Sequence, residues 1–304
     1  MSRPAVDVVV PFRGGLADLE DLRERLARMR VGPGDSVLVV DNTPRRERLS
    51  GPQDGTVPVL YASERATPGF ARNRGASLGS GEWLVFFDAD TEPSEDLLDR
   101  YFDPPPGART ALIGGGVIDE AVPEDAPIAA RYAYLRRAMS QDDTFRFGRW
   151  GYAKTANAAC RRVAFEAVGG FRDDIRAGED ADLTYRLKAG GWEVERRERA
   201  AVVHRSRRSV REFMIQRALH GAGGAWLNRT YPGSFPPRRR PGLVWWAVRA
   251  STTGLLSAAR RRDRDQAICA LCDPLELLVW EFGRSIPNQR PLPGHSRRRR
   301  VTEP

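Results

Sequence analysis

The stretch Glu82-Trp83-Leu84-Val85-Phe86-Phe87-Asp88-Ala89-Asp90 decides how this chain is read. Its aromatic and aliphatic run reads as a strand buried on both faces, the pattern of a parallel sheet covered by helices. The run stops on two carboxylates spaced i, i+2. In an open α/β sheet, ligands bind just past the carboxyl ends of the strands, so Asp88 and Asp90 stand where a ligand would be held. Two hard anionic oxygen donors suit Mg²⁺ or Mn²⁺ and, through the metal, a diphosphate. A plainer reading has Asp88 capping the next turn and Asp90 capping the helix near Ser94-Glu95-Asp96-Leu97. The motif needs support from elsewhere in the chain.

Upstream, Ala5 to Pro11 is apolar except for Asp7 and fits a first buried strand. Leu16, Leu19, Leu22, Leu26 and Met29 then recur at helical spacing. Ser36 to Val40 reads as a second strand ending on Asp41-Asn42, Val57 to Ala62 as a third, and Pro68-Gly69 opens a helix that runs through Leu78. Strands alternating with helices predict a parallel, doubly wound sheet. Downstream, Thr110 to Asp119 and Glu193 to His204 read as strands. Arg161 to Val168, Asp180 to Ala189 and Val210 to Leu227 read as helices. Residues 140–152 mix Gly, aromatics and Arg, as either a substrate-covering loop or an ordinary surface crossing would. A Pro-rich stretch from Tyr231 to Pro237, followed by Arg238-Arg239-Arg240, marks the clearest boundary, and two amphipathic helices (about 242–260 and 265–284) follow.

With 304 residues and 41% hydrophobic side chains, the chain can bury a substantial α/β core. Its net charge of +9 is unevenly placed: residues 231–304 hold 14 Arg against 6 acidic residues, and the rest is nearly neutral. This argues against a nucleic-acid protein with a basic face throughout. It fits a basic appendage able to touch an anionic membrane or an acidic partner. Cys160, Cys269 and Cys272 lack a metal-binding pattern and are read as buried, reduced thiols, which suits a cytoplasmic protein. Met1-Ser2-Arg3-Pro4 leads directly into a strand, so no signal peptide is expected, and no run is long and apolar enough to span a membrane.

A second acidic cluster, Gly178-Glu179-Asp180-Ala181-Asp182, opens a helix. Carboxylates there are favoured by the helix dipole alone. Glycosyl transfer, however, needs one acidic group to bind the metal that neutralises a leaving diphosphate and another to take a proton from the acceptor. Asp88/Asp90 and Glu179/Asp180 supply both from different elements.

Eight blocks in order give the sequence its resemblance to the family 2 glycosyltransferases of the GT-A fold, over roughly residues 5–205. They are Val8-Val9-Val10-Pro11-Phe12, Val39-Val40-Asp41-Asn42, Ala71-Arg72-Asn73-Arg74-Gly75, Asp88-Ala89-Asp90, Ala156-Asn157-Ala158-Ala159, Val168-Gly169-Gly170-Phe171, Glu179-Asp180-Ala181-Asp182-Leu183 and His204. The resemblance implies a Rossmann-like, mainly parallel central sheet flanked by helices, with a C-terminal helical extension. It implies a catalytic domain at 1–230, with a nucleotide-sugar-binding half at 1–103 and an acceptor-binding half at 104–230. Residues 231–304 form the linker, helices and basic tail.

The resemblance also assigns residues. Pro11, Phe12, Arg13, Asp41, Asn42, Arg72, Asn73, Asp88, Ala89 and Asn157 fall to the donor nucleotide sugar, and Asp90, Asp88 and His204 to Mn²⁺ or Mg²⁺. Asp180 becomes the general base and Glu179 orients the acceptor. The implied reaction is a metal-dependent, inverting transfer of one sugar, with UDP-sugar as the favoured donor. The acceptor is a hydroxyl on a lipid carrier, glycan, peptide or natural product. Processive, membrane-embedded relatives carry a Gln-x-x-Arg-Trp motif, of which Gln216-Arg217 and Trp226 are only a faint version. Two alternatives stand beside this reading. One is a nucleotidyltransferase acting on sugar phosphates; the other is a non-catalytic protein that binds membrane or polyanion through the basic tail, at the inner face of the membrane.

Overall fold

The computed structural model describes residues 3–44, 57–207, 209–237 and 241–289. The arginine runs at 238–240 and 297–300 lie outside the described residues. The first half alternates as expected: β1 (Val6–Phe12), α1 (Leu16–Leu26), β2 (Ser36–Asp41), β3 (Val59–Tyr61), α2 (Pro68–Ala76) and β4 (Trp83–Phe87). A short β5 (Thr91–Pro93), α3 (Leu97–Tyr101), β6 (Thr110–Asp119), α4 (Ile128–Arg136) and α5 (Asp142–Phe145) follow. Then come β7 (Asn157–Arg161), α6 (Arg162–Ala167), α7 (Glu179–Ala189), β8 (Glu193–His204), α8 (Val210–Thr230), α9 (Leu243–Arg261) and α10 (Arg264–Gly283).

One eight-stranded sheet runs in the order β3-β2-β1-β4-β7-β6-β8-β5. The β3-β2-β1-β4 half is all parallel. Past β4 the parallel expectation fails: β7 is antiparallel to both β4 and β6, and β5 is antiparallel to β8, while β6 and β8 are parallel. The sequence hid β7 because Asn157-Ala158-Ala159-Cys160-Arg161 lacks the branched and aromatic residues that mark strands. Small side chains suit it because it is fully buried between two neighbours.

The decisive run explains itself in the packing. Along β4, Trp83, Val85 and Phe87 face one layer with Leu19, Leu22, Leu97 and Leu98, whereas Leu84 and Phe86 face the other with Ala71, Phe165, Phe171 and Leu183. Phe86 meets Phe171 edge-on with centroids 5.2 Å apart. Both faces of the strand are core, so it alternates direction without alternating polarity.

Asp7, the one charge in the first strand, is 3% exposed and anchored three ways. Its carboxylate accepts from the Gly81 amide at 2.7 Å, from the Ser36 hydroxyl and from the Arg162 guanidinium. At the other end of the chain, α10 crosses α8 at backbone contact: a methyl group on Gly221 would stand 2.0 Å from the Trp280 carbonyl oxygen. Among the described residues no helix is long and apolar enough to cross a membrane.

Asp7→Ala should strand the Arg162 guanidinium and the Gly81 amide without their acceptor. We expect a loss of about 2–4 kcal/mol in unfolding free energy by urea titration. An unchanged midpoint would mean that Asp7 contributes nothing to holding β1 in place.

Candidate active site

A cavity of about 990 Å³ opens beyond the carboxyl ends of β1, β2 and β4, the edge where α/β sheets bind ligands. Its size falls in the range of small-molecule sites. Pro11, Phe12, Arg13, Asn42, Arg72, Asp88, Ala89, Asp90, Glu179, Asp180 and His204 all line it. Asp41, Asn73 and Asn157 do not. Asp41 is buried at the end of β2 and accepts from the Thr43 amide at 2.9 Å. The Asn73 amide clamps Phe171 through both its backbone groups. Asn157 sits in the sheet, bonded to the Tyr101 hydroxyl at 2.6 Å and to the carbonyls of Gly116 and Ala200.

Strand register brings the first acidic group together. Thr91 of β5 pairs with His204 of β8, and Asp119 of β6 pairs with the same histidine from the other side. The imidazole therefore lies between two carboxylates, with Nδ1 3.3 Å from Asp119 Oδ1 and Nε2 3.6 Å from Asp90 Oδ2. Burial lowers the His204 pKa, but hydrogen bonds to Asp119 and Asp90 outweigh it and raise the pKa to about 9. Arg207 adds a second positive charge 3.9 Å from Asp90 Oδ2.

Asp88 has a different environment. Its Oδ1 accepts from Arg72 Nη2 at 2.6 Å, and Arg72 Nη1 reaches Glu179 Oε1 at 3.0 Å. One buried guanidinium thus ties the end of β4 to the start of α7. Burial raises the pKa of Asp88 against the pull of Arg72, whereas for Asp90 the bond to His204 and its charge overcome burial and hold the pKa down.

Gly178, at φ 87°, turns the chain into α7 in a conformation that favours glycine, and this delivers Glu179 and Asp180 to the cavity wall. Burial, and then the charge of Asp180, push Glu179 up to about 7 despite Arg72. Asp180 is raised by burial and partly restored by the Ala181 amide, which donates to it at 2.8 Å. Asp182 points elsewhere, into Arg172, Arg186 and the Tyr231 hydroxyl. Among the described residues Asp180 has no ion-pair partner, unlike Asp88, Glu179 and Asp182.

Several residues of the cavity escaped the sequence reading. Lys154 lines it, held by the Ser140 carbonyl at 2.8 Å. Its rarity, one of only two lysines in an arginine-rich chain, was a usable signal. Arg217, paired with Glu276 of α10, lines it together with His220 and Trp280. His220 of α8 also opens into the cavity, beside Arg217, whose positive charge helps to lower its pKa.

Among the described residues no group of three or more His, Cys, Asp or Glu side chains is arranged to hold a metal ion. The donors present nevertheless fit a divalent cation. Asp90 offers a hard ionised oxygen, and Asp119 holds Nδ1 of His204 so that Nε2 faces the cavity, an arrangement common for metal-binding histidines. Asp88 would join only by giving up part of its pairing to Arg72.

Glu179 gives a pH prediction. Its folded pKa lies above its ordinary value of 4.5, so the stability it contributes is complete below pH 4.5 and is lost as pH rises through about 7. Melting temperatures of the ligand-free protein across that window should fall less steeply in Glu179→Gln than in the parent. Parallel profiles would contradict the raised pKa.

Comparison with known proteins identifies the fold and the family. The chain is 28% identical to the pre-mycofactocin glycosyltransferase of Mycobacterium tuberculosis over 82% of its own length and 53% of that protein, so it spans about half of that relative. It is 25% identical to the succinoglycan biosynthesis protein ExoA of Rhizobium meliloti, covering 74% of this chain and 72% of that one. A solved mannosyltransferase from Pyrobaculum calidifontis, in complex with GDP-Man and Mn²⁺, superposes with a TM-score of 0.59 over 93% of this chain and 88% of its own, at 16% identity. That likeness shows the shared GT-A fold. Residues 83–270 match the family described as glycosyl transferase family group 2, and the chain belongs to that family.

Proposed function

We propose that this chain transfers one sugar from a nucleotide diphosphate sugar to an acceptor hydroxyl, with inversion and with the help of a divalent cation. The observation that carries the reading is the unequal treatment of the cavity's carboxylates. Asp88 and Glu179 share Arg72, Asp90 faces His204, and Asp180 faces the cavity with no ion pair among the described residues. A carboxylate with a raised pKa and no ion pair is suited to accept a proton.

In this reading residues 1–103 hold the donor and residues 104–230 present the acceptor. Asp90 and His204, with Asp88 beside them, would hold Mn²⁺ or Mg²⁺, which supplies positive charge to offset the departing diphosphate. Arg207 adds fixed charge at the same end. Asp180 takes the proton from the acceptor hydroxyl as its oxygen forms the new bond to the anomeric carbon, and the bond from that carbon to the diphosphate breaks on the opposite face. Glu179, oriented by Arg72, positions the acceptor. The family resemblance favours UDP as the nucleotide, and the GDP-Man in the Pyrobaculum structure makes GDP the competitor to test.

A thermal-shift panel of UDP, GDP and dTDP, with and without Mn²⁺, tests the donor site. One nucleotide at a hundredfold excess over its dissociation constant should stabilise the protein by about 2.7 kcal/mol in the presence of Mn²⁺. Asp90→Asn should abolish the metal-dependent part. No shift with any nucleotide would defeat the reading. Asp180→Asn should keep the shift but slow nucleoside diphosphate release by about 10²–10⁴-fold. An Asp180→Asn enzyme with parent turnover would remove Asp180 from the base role, and release of inorganic pyrophosphate instead of nucleoside diphosphate would favour a nucleotidyltransferase.

A further inference from the structure

Helix α9 is packed inside out. The stripe it turns toward α10 is made of small residues: Ala247 and Ala258 are buried, and a methyl group on Gly254 would stand 2.5 Å from the Ala270 side chain. Its large apolar residues face away. Val244 is 65% exposed, Trp245 66%, Val248 57% and Leu256 60%, with Leu255 beside them. At 100° per residue these five fall within an arc of roughly 120°. Among the described residues nothing covers that face. A contiguous apolar strip of this kind marks an interaction surface on a soluble protein.

The charge around it identifies the partner. Between Phe235 and Asp263 the sequence contains seven arginines and no carboxylate. By the same helical geometry Arg249 and Arg260 lie along one edge of the apolar arc, with the exposed Trp246 beyond them, and the Arg249 guanidinium lies 5.5 Å from the Trp245 ring centroid. Two copies meeting about a twofold axis would set these arginines against one another. An anionic lipid surface meets both demands, since acyl chains accept the apolar arc, headgroup phosphates accept the arginines, and indole rings favour the interface between them. We propose that α9 is an in-plane helix through which this protein docks peripherally on anionic membranes.

Flotation of the full chain with vesicles tests this. The protein should float with vesicles of phosphatidylglycerol and phosphatidylcholine, should bind phosphatidylcholine alone far less, and should be released as salt rises from about 0.1 to about 1 M. Val248→Asp with Leu256→Asp, both at exposed positions, should lower the bound fraction roughly tenfold or more while thermal unfolding stays that of the parent. Three outcomes with the full-length chain would overturn the proposal. They are no binding of the parent to anionic vesicles, equal binding of the double variant, and a parent dimer in sedimentation velocity that the double variant splits. The last would make a second copy the occupant. Removing residues 290–304 should leave most of the binding; if it abolishes binding, the tail and not α9 is the contact.

Discussion

The Arg72 guanidinium is the link on which the rest of the cavity depends. It is buried on α2, against the Phe171 ring at 5.5 Å, and it holds the first carboxylate after β4 and the first of α7 at once. Buried charge is tolerated only when compensated, and here one cation serves two anions from elements distant in sequence. The bridge fixes the separation between the edge that faces Asp90 and the wall that carries Asp180. It also leaves Asp180 as the carboxylate outside the pairing, so the chemical asymmetry of the site follows from how one positive charge is shared.

The second determinant is sheet register. β8 is long enough to pair with β6 along most of its length and with β5 at its end, and His204 is the residue where both pairings meet. Asp119, the last residue of β6, approaches one nitrogen, and Asp90, in the tight turn between β4 and β5, approaches the other. The β5–β8 and β6–β8 ladders hold both sides of the triad, which keeps the side chains in place before any ligand arrives.

Much of this was legible in the sequence because it rests on local patterns. The buried β4 run, the Asp88-Ala89-Asp90 end and the acidic start of α7 are contiguous signals, and β6 and β8 fall where strands were read, at 110–119 and 193–204. What was not legible depends on pairing at a distance. β7 has a strand's position without a strand's composition. Asp119, the partner of His204, reads only as the end of a strand until β6 and β8 are laid side by side. Lys154, Arg217 and His220 come from segments with no motif of their own, and the cavity gathers them by tertiary packing. Asp41, Asn73 and Asn157 belong to the same sequence blocks as residues of the wall, but none of the three lines the cavity, and Asn73 and Asn157 brace the backbone.

The reversed direction of β7 has a further consequence. In a parallel strand the segment that leaves the strand reaches the ligand edge; in β7 it is the segment that enters. Tyr152, Lys154, Thr155 and Ala156 therefore form their part of the cavity before the strand begins, at the end of a long excursion from β6 that includes α4 and α5. That excursion is anchored at both ends by central strands, and its length is not set by any sheet pairing. It is tied back near its end, where the Gln141 side chain donates to the carbonyls of Lys154 and Asn157 and accepts from the Lys154 amide. The reversed strand thus lets one wall of the cavity be built from chain that precedes its strand, while the carboxylates after β4 stand on chain that follows theirs.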